Sequence, residues 1–160
     1  MYKRQIAGKN FDEFFSTASV NDVEFVVSTL FDYFDTLIST ARNIDVTKQI
    51  LNKLDSLKEK SSYPKYIEFL RKYVEDKRIV VPHTFCHGDL TFANIIFHQN
   101  RLFFIDFLDC YVDTFLSDLV KLKQDLHHLW AVRNQNVYTN RIHQIYQYIW
   151  DKLELRYESH

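Results

Sequence analysis

The sequence predicts an α+β fold, mainly α-helical, with one short β-hairpin at its functional edge. Three observations carry this. Apolar residues recur at three- and four-residue steps through most of the 160-residue chain. Near the middle, two apolar, strand-like runs are separated by the polar residues Gln99-Asn100-Arg101. Gly8 and Gly88 are the only glycines, which rules out a loop in which clustered glycines bring backbone amides onto a phosphate.

A chain of this length forms one compact domain and buries about 70% of its unfolded surface. Hydrophobic residues make up 46% and aromatics 16%, which belongs to a folded protein. Lys and Arg number 20 against 21 Asp and Glu, so no broad positive field exists to draw nucleic acid or an anionic membrane. No apolar run approaches the roughly 20 residues of a membrane span. Cys86 and Cys110 have no spacing that marks a disulfide framework or zinc site. A cytoplasmic location is expected.

The first helix is expected over 20–42, where Val23, Val26, Val27, Leu30, Phe34, Leu37, Ile38 and Ala41 share a face and Asn21 is placed to cap. A second, over 45–59, follows from Val46, Ile50, Leu54 and Leu57. Pro64 opens a third over 64–75 with Tyr66, Ile67, Leu70, Tyr73 and Val74. Ile79-Val80-Val81 and Thr84-Phe85 are short extended pieces around Pro82. A loop at 87–94 then leads into a hairpin over 94–106, whose strands are Asn94–His98 and Leu102–Asp106. Helical spacing returns at 115–130 through Leu116, Leu119, Val120, Leu122, Leu126 and Leu129. The cleanest stripe is the last, over 138–156, with Ile142, Ile145, Tyr146, Ile149, Trp150 and Leu153. All these stripes read as core or partner-facing surface. No repeat or linker interrupts them.

The loop before the hairpin reads His87-Gly88-Asp89-Leu90-Thr91-Phe92-Ala93-Asn94, and its exit reads Ile105-Asp106-Phe107-Leu108-Asp109. A carboxylate on a fixed loop is a proton acceptor for a hydroxyl under phosphorylation, and Mg²⁺ takes hard oxygen ligands. Asn94 follows Asp89 by five residues, and the hairpin returns Asp106 to the side of Asn94. Three oxygen-bearing side chains thus meet at one end of a small β-unit. The plainer alternative makes Asp89 and Asn94 turn-formers and Asp106 a strand end.

His87, Gly88, Asp89 and Asn94 match the H-G-D-x-x-x-x-N motif, and the sequence resembles the aminoglycoside phosphotransferase and choline kinase superfamily over roughly Pro82 to Trp130. Four fixed residues at roughly 5% usage match by chance about once per 10⁵ windows. The resemblance implies a protein-kinase-like C-lobe that uses ATP and Mg²⁺ to phosphorylate a small-molecule alcohol. It implies Asp89 as catalytic base, Asn94 and Asp106 as metal ligands, and His87, Gly88 and Asp118 as support for the loop. Asp109 and Tyr111 are candidate substrate contacts. With Asp113, Asp125 and Trp130 they form either an acidic-aromatic wall for a cationic acceptor or a solvated helix face.

Gly88 stands where protein kinases have the arginine of H-R-D, and Leu108 where they have the glycine of D-F-G. Both departures fit a small-molecule kinase without activation-loop control. No Gly-rich loop and no strand-borne lysine precede the catalytic loop, so the expectation is a C-lobe with its N-lobe absent, inactive alone and prone to self-association. Met1-Tyr2-Lys3-Arg4-Gln5 is what the end of a DNA-library transposon would encode, so residues 1–5 are expected to be a non-native start. The rival reading is a catalytically silent, kinase-derived binding or scaffolding module, and a hydrolase using Asp89 and His87 is more distant. His83, Cys86 and His87, or His127 and His128, as metal ligands lack a second cluster at zinc spacing.

Overall fold

The computed structural model describes residues 7–132 and 140–158; residues 1–5 and the first two positions of the helix expected from 138 lie outside them. A short helix, α1 (Phe11–Thr17), comes first and was not expected. It is too brief for a periodic stripe, but Asn10 and Glu13 cap it reciprocally, and it buries Phe11 and Phe15. Helix α2 (Val20–Thr40) is capped by Ser19 rather than Asn21. Ser19 Oγ accepts from the Asp22 amide at 3.2 Å while the Asp22 carboxylate accepts from the Ser19 amide at 2.7 Å, an exchange that Asn21, already inside the helix, is not placed to make.

Helix α2 stops before position 42, because Arg42–Asp45 leaves it as strand β1. This strand pairs antiparallel with β2 (Val80–His83), in register from Arg42↔His83 to Asp45↔Val80. Pro82 is accommodated because a two-stranded ribbon has an open edge needing no amide donor. Between them run α3 (Thr47–Lys58) and α4 (Pro64–Glu75). Helix α3 buries no residue, and α4 buries only Val74.

Strands β3 (Ile95–His98) and β4 (Arg101–Phe104) form the second ribbon, from Ile95↔Phe104 to His98↔Arg101. The turn is Gln99-Asn100 alone. Both residues have positive φ (46° and 55°), the two-residue turn whose twist suits a hairpin, and Arg101 is already in β4. Lys9 adds a rung by exchanging backbone bonds with Phe97 at 2.8 and 2.9 Å. Helix α5 (Phe115–His128) ends at Leu129 in the left-handed conformation, and α6 (Asn140–Tyr157) closes the chain.

The core lies where α1, α2, α5 and α6 meet the inner face of the β3–β4 ribbon. Phe15 stands edge-on to Phe92, Phe97 and Tyr146, and Phe34, Leu30, Leu122 and Ile149 are fully buried. No residue of α3 or α4 belongs to that core. Among the described residues, no helix is long and apolar enough to cross a membrane.

Candidate active site

Two buried carboxylates on α5 hold the 87–94 loop. Asp118, in the first turn, accepts from the His87 amide at 2.7 Å, the Gly88 amide at 2.8 Å and the Tyr33 hydroxyl at 2.7 Å. Asp125 accepts from the Phe92 amide at 2.6 Å and the Ala131 amide at 2.8 Å. Both are completely buried, and each would be costly there without these donors. Burial raises the Asp125 carboxyl above its ordinary value, opposed by the two amides. Burial, and then the Asp118 carboxylate, push the Tyr33 phenol up.

His87 is buried, and its ring completes the loop. Nε2 lies 2.7 Å from the Ile105 carbonyl and donates to it, while Nδ1 accepts from the Asp89 amide at 3.3 Å. The proton therefore sits on Nε2. Gly88 has φ +86°, and a Cβ there would lie 2.3 Å from the Leu108 carbonyl oxygen. Only glycine fits, because the Leu108 amide donates to the His87 carbonyl at 2.9 Å and draws the 107–109 segment against the loop.

Asp89 is half-buried and joined to Asn94, whose Nδ2 donates to the Asp89 carbonyl at 2.8 Å and to its carboxylate at 3.2 Å. The Ile105 amide donates to the Asn94 carbonyl at 3.0 Å, extending the ribbon by one rung and bringing Asp106 beside them. Asp106 is exposed and has φ +58°, a conformation that costs a non-glycine residue energy and is concentrated at functional sites. No intrachain partner engages its carboxylate among the described residues. Because Asn94 spends its amide nitrogen on Asp89, its Oδ1 remains as an acceptor. Asn94 Oδ1 and the Asp106 carboxylate are hard oxygens, a donor set that fits Mg²⁺, which keeps its remaining positions for water and phosphate.

Asp109 and Tyr111 do not join this cluster. They line a cavity of about 630 Å³ beside Gly88, with Val46, Ile50, Val120 and Lys121. Tyr111 donates to the Gln49 carbonyl at 2.6 Å, and Lys53 sits 4.9 Å from its ring centre. Asp125, inside the core, cannot be part of a solvated or substrate-facing wall. His83, Cys86 and His87 do not converge either, since the His87 ring is committed to Ile105 and Asp89.

Sequence reasoning missed Lys121, which pairs with Asp89 at 3.1 Å, and the anchoring roles of Tyr33 and Asp125. A signal existed for two of them. Asp118, Lys121 and Asp125 follow one another at three- and four-residue steps, beside the buried Phe115, Leu122 and Leu126. Polar residues on an apolar stripe mark groups that must find partners inside.

A family model described as "Phosphotransferase enzyme family" matches residues 34–156. No curated protein and no solved structure matches the chain.

Proposed function

The chain belongs to the phosphotransferase enzyme family, and from that premise we propose that it is the catalytic C-lobe of an ATP-dependent, cytoplasmic kinase acting on a small-molecule alcohol. The observation that carries this reading is the convergence of Asp89, Asn94 and Asp106 at one end of the β3–β4 ribbon.

Asp89 takes the proton of the acceptor hydroxyl as its oxygen bonds to the γ-phosphorus of ATP and ADP departs. Such a base contributes about 10²–10⁴-fold. Asn94 and Asp106 would hold Mg²⁺, which supplies charge neutralisation for the phosphates. Lys121 places its ammonium group beside Asp89 and also lines the 630 Å³ cavity, where the acceptor sits against Asp109 and Tyr111. His87, Gly88 and Asp118 keep the loop rigid, so that the base is positioned before substrate arrives. The grip on the nucleotide comes from an N-lobe acting in cis. Exposed Phe85, Phe107 and Leu108 beside the loop offer an apolar face for it.

The test uses two levels. The 160-residue chain alone should turn over little ATP and bind Mg-ATP weakly in calorimetry. In a protein carrying the N-lobe, Asp89→Asn should collapse turnover with Mg-ATP affinity nearly unchanged, whereas Asp106→Ala should weaken Mg-ATP binding itself. Full turnover by a folded Asp89→Asn protein would make the assignment of this loop wrong. Robust phosphotransfer by the chain alone would overturn the missing-lobe account only.

A further inference from the structure

The two cysteines, 24 positions apart in sequence, occupy the two segments that frame the site. Cys86 immediately precedes His87-Gly88-Asp89, and Cys110 follows Asp106 and Asp109. Two backbone bonds lay these segments side by side: Thr84 N to Asp113 O at 3.1 Å, and Leu108 N to His87 O at 2.9 Å. Cys86 lies between Thr84 and His87, and Cys110 between Leu108 and Asp113. The backbone therefore holds the two cysteines on adjoining segments. The Cys86 thiol donates to the Cys110 sulfur across 2.7 Å.

The pair also sits in a thin partition. Cys110 is half-buried on the wall of the 630 Å³ cavity, and Cys86 lines a second cavity of about 330 Å³ with Asp113 and Phe107. Cys110, the less buried of the two, borders the larger cavity, from which a small molecule can approach. A shared metal ion is a poorer fit. Among the described residues only Asp113 joins the two cysteines within ligating range. Two thiolates on one tetrahedral zinc also stand about 3.7 Å apart, given Zn–S bonds of about 2.3 Å.

We propose that Cys86 and Cys110 form a reversible disulfide that fastens the loop carrying Asp89 to the segment following Asp106. The oxidant is a small-molecule disulfide. The Cys110 thiolate attacks one of its sulfurs and expels the first small thiolate, leaving a mixed disulfide on Cys110. Cys86 gives up its proton and attacks the Cys110 sulfur, expelling the second. Two protein thiols lose two electrons and two protons, and the oxidant becomes two small thiols. The order follows from burial, which with the bond to Cys110 pushes the Cys86 thiol up to about 12 and keeps it protonated until the second step. Asp113 Oδ1, 3.8 Å from the Cys86 sulfur, lies on the side towards which that proton leaves. Excess small thiol reverses both steps, so a reducing compartment keeps the latch open and an oxidising episode closes it. This inference does not depend on the kinase reading.

The test treats the native chain with oxidised glutathione, quenches it in acid, alkylates it after unfolding and maps the peptides. The expected product is one monomeric species whose Cys86 and Cys110 peptides are joined with the loss of two hydrogens. Dithiothreitol should reverse it, and its melting temperature should rise by about 5 °C or more. Cys86→Ser and Cys110→Ser should each abolish the cross-link. The proposal is overturned if both thiols stay alkylatable, if Cys110 stops at the mixed disulfide, or if links form between chains. Stoichiometric protection of both cysteines by Zn²⁺ alone, with no cross-link on oxidation, would replace it with a metal site.

Discussion

Helices α3 and α5 are amphipathic to a similar degree in sequence, yet they do opposite things. Helix α5 buries Phe115, Leu122 and Leu126 and places Asp118 and Asp125 on the same inward face, so that the 87–94 loop hangs from the core. Helix α3 buries nothing, and it is tied to α4 by exposed ion pairs, Lys58–Glu68 and Asp55–Arg71, the latter arginine also pairing with Glu75 within α4. Exposed pairs of this kind are worth about 0–1 kcal/mol each. An apolar stripe therefore specifies a helix but not its burial. What distinguishes the two is the carboxylates on the α5 stripe, which find backbone donors inside.

The contrast predicts a graded set of effects. Asp118→Ala leaves the buried His87 amide, the part-buried Gly88 amide and the Tyr33 hydroxyl without their acceptor, so it should destabilise by about 3–5 kcal/mol, read by denaturant unfolding. Next, Leu122→Ala on α5 should cost about 2–5 kcal/mol, whereas Leu57→Ala on α3 should cost less than about 1. Equal costs for these two leucines would break the comparison. Asp125→Asn should cost about 1–3 kcal/mol, since an amide group cannot accept from both Phe92 and Ala131 with two oxygens.

Two carboxylates should also differ in the sign of their pH dependence. The Asp125 carboxyl is raised in the fold by burial, so the folded state holds its proton more tightly than the unfolded chain does. Its contribution to stability falls as pH rises from the ordinary aspartate value through the raised one. Asp35 is lowered, first by its bond from Arg156, and its contribution is present above the ordinary value and lost as pH falls through the lowered one. Unfolding midpoints measured from pH 3 to 7 (roughly the range spanning these carboxyls) for Asp125→Asn and Asp35→Asn should therefore diverge from wild type in opposite senses. Parallel profiles would remove burial as the feature that separates the two.

The same physical split decides what could be read from the sequence. Helices α2, α5 and α6 and the β3–β4 ribbon announce themselves through local periodicity and turn residues, and Asp89, Asn94 and Asp106 through fixed spacing around that ribbon. The ribbon β1–β2 was hidden because it joins segments nearly forty residues apart and its strands show no inward-outward alternation. Helix α1 was too short to show a stripe. Tyr33 acts on the loop through Asp118, which lies 85 positions from it in sequence. Such a partner is set by packing, which no local pattern records, whereas Lys121 shares the α5 stripe with Asp118 and Asp125. Asp118 and Asp125 lay between these cases. They are visible as carboxylates on an apolar stripe, but acidic residues on helices are usually exposed, so a substrate-facing wall or a solvated face is the expectation for Asp125 and its burial is not.

The smallest expected effect on stability is the sharpest test of the α3–α4 side. Tyr66 and Phe69 on α4 are 70% and 67% exposed, and Tyr73 joins them on the surface, while Val74 faces inward. Replacing both Tyr66 and Phe69 with Ser removes two rings that bury little area within the chain, so stability should change by no more than about 0.5 kcal/mol. Contiguous exposed apolar surface promotes association, and the edge beside the 87–94 loop adds Phe85, Phe107 and Leu108. Light scattering over a concentration series should therefore show wild-type chain self-associating, and the double variant doing so less. A change in association without a change in melting assigns the α4 face to contacts between chains. A loss of several degrees in melting instead means that these rings stabilise the fold from within. The distinction between the buried stripe of α5 and the exposed side of α4 would then fail, because α4 would also be secured by its apolar face.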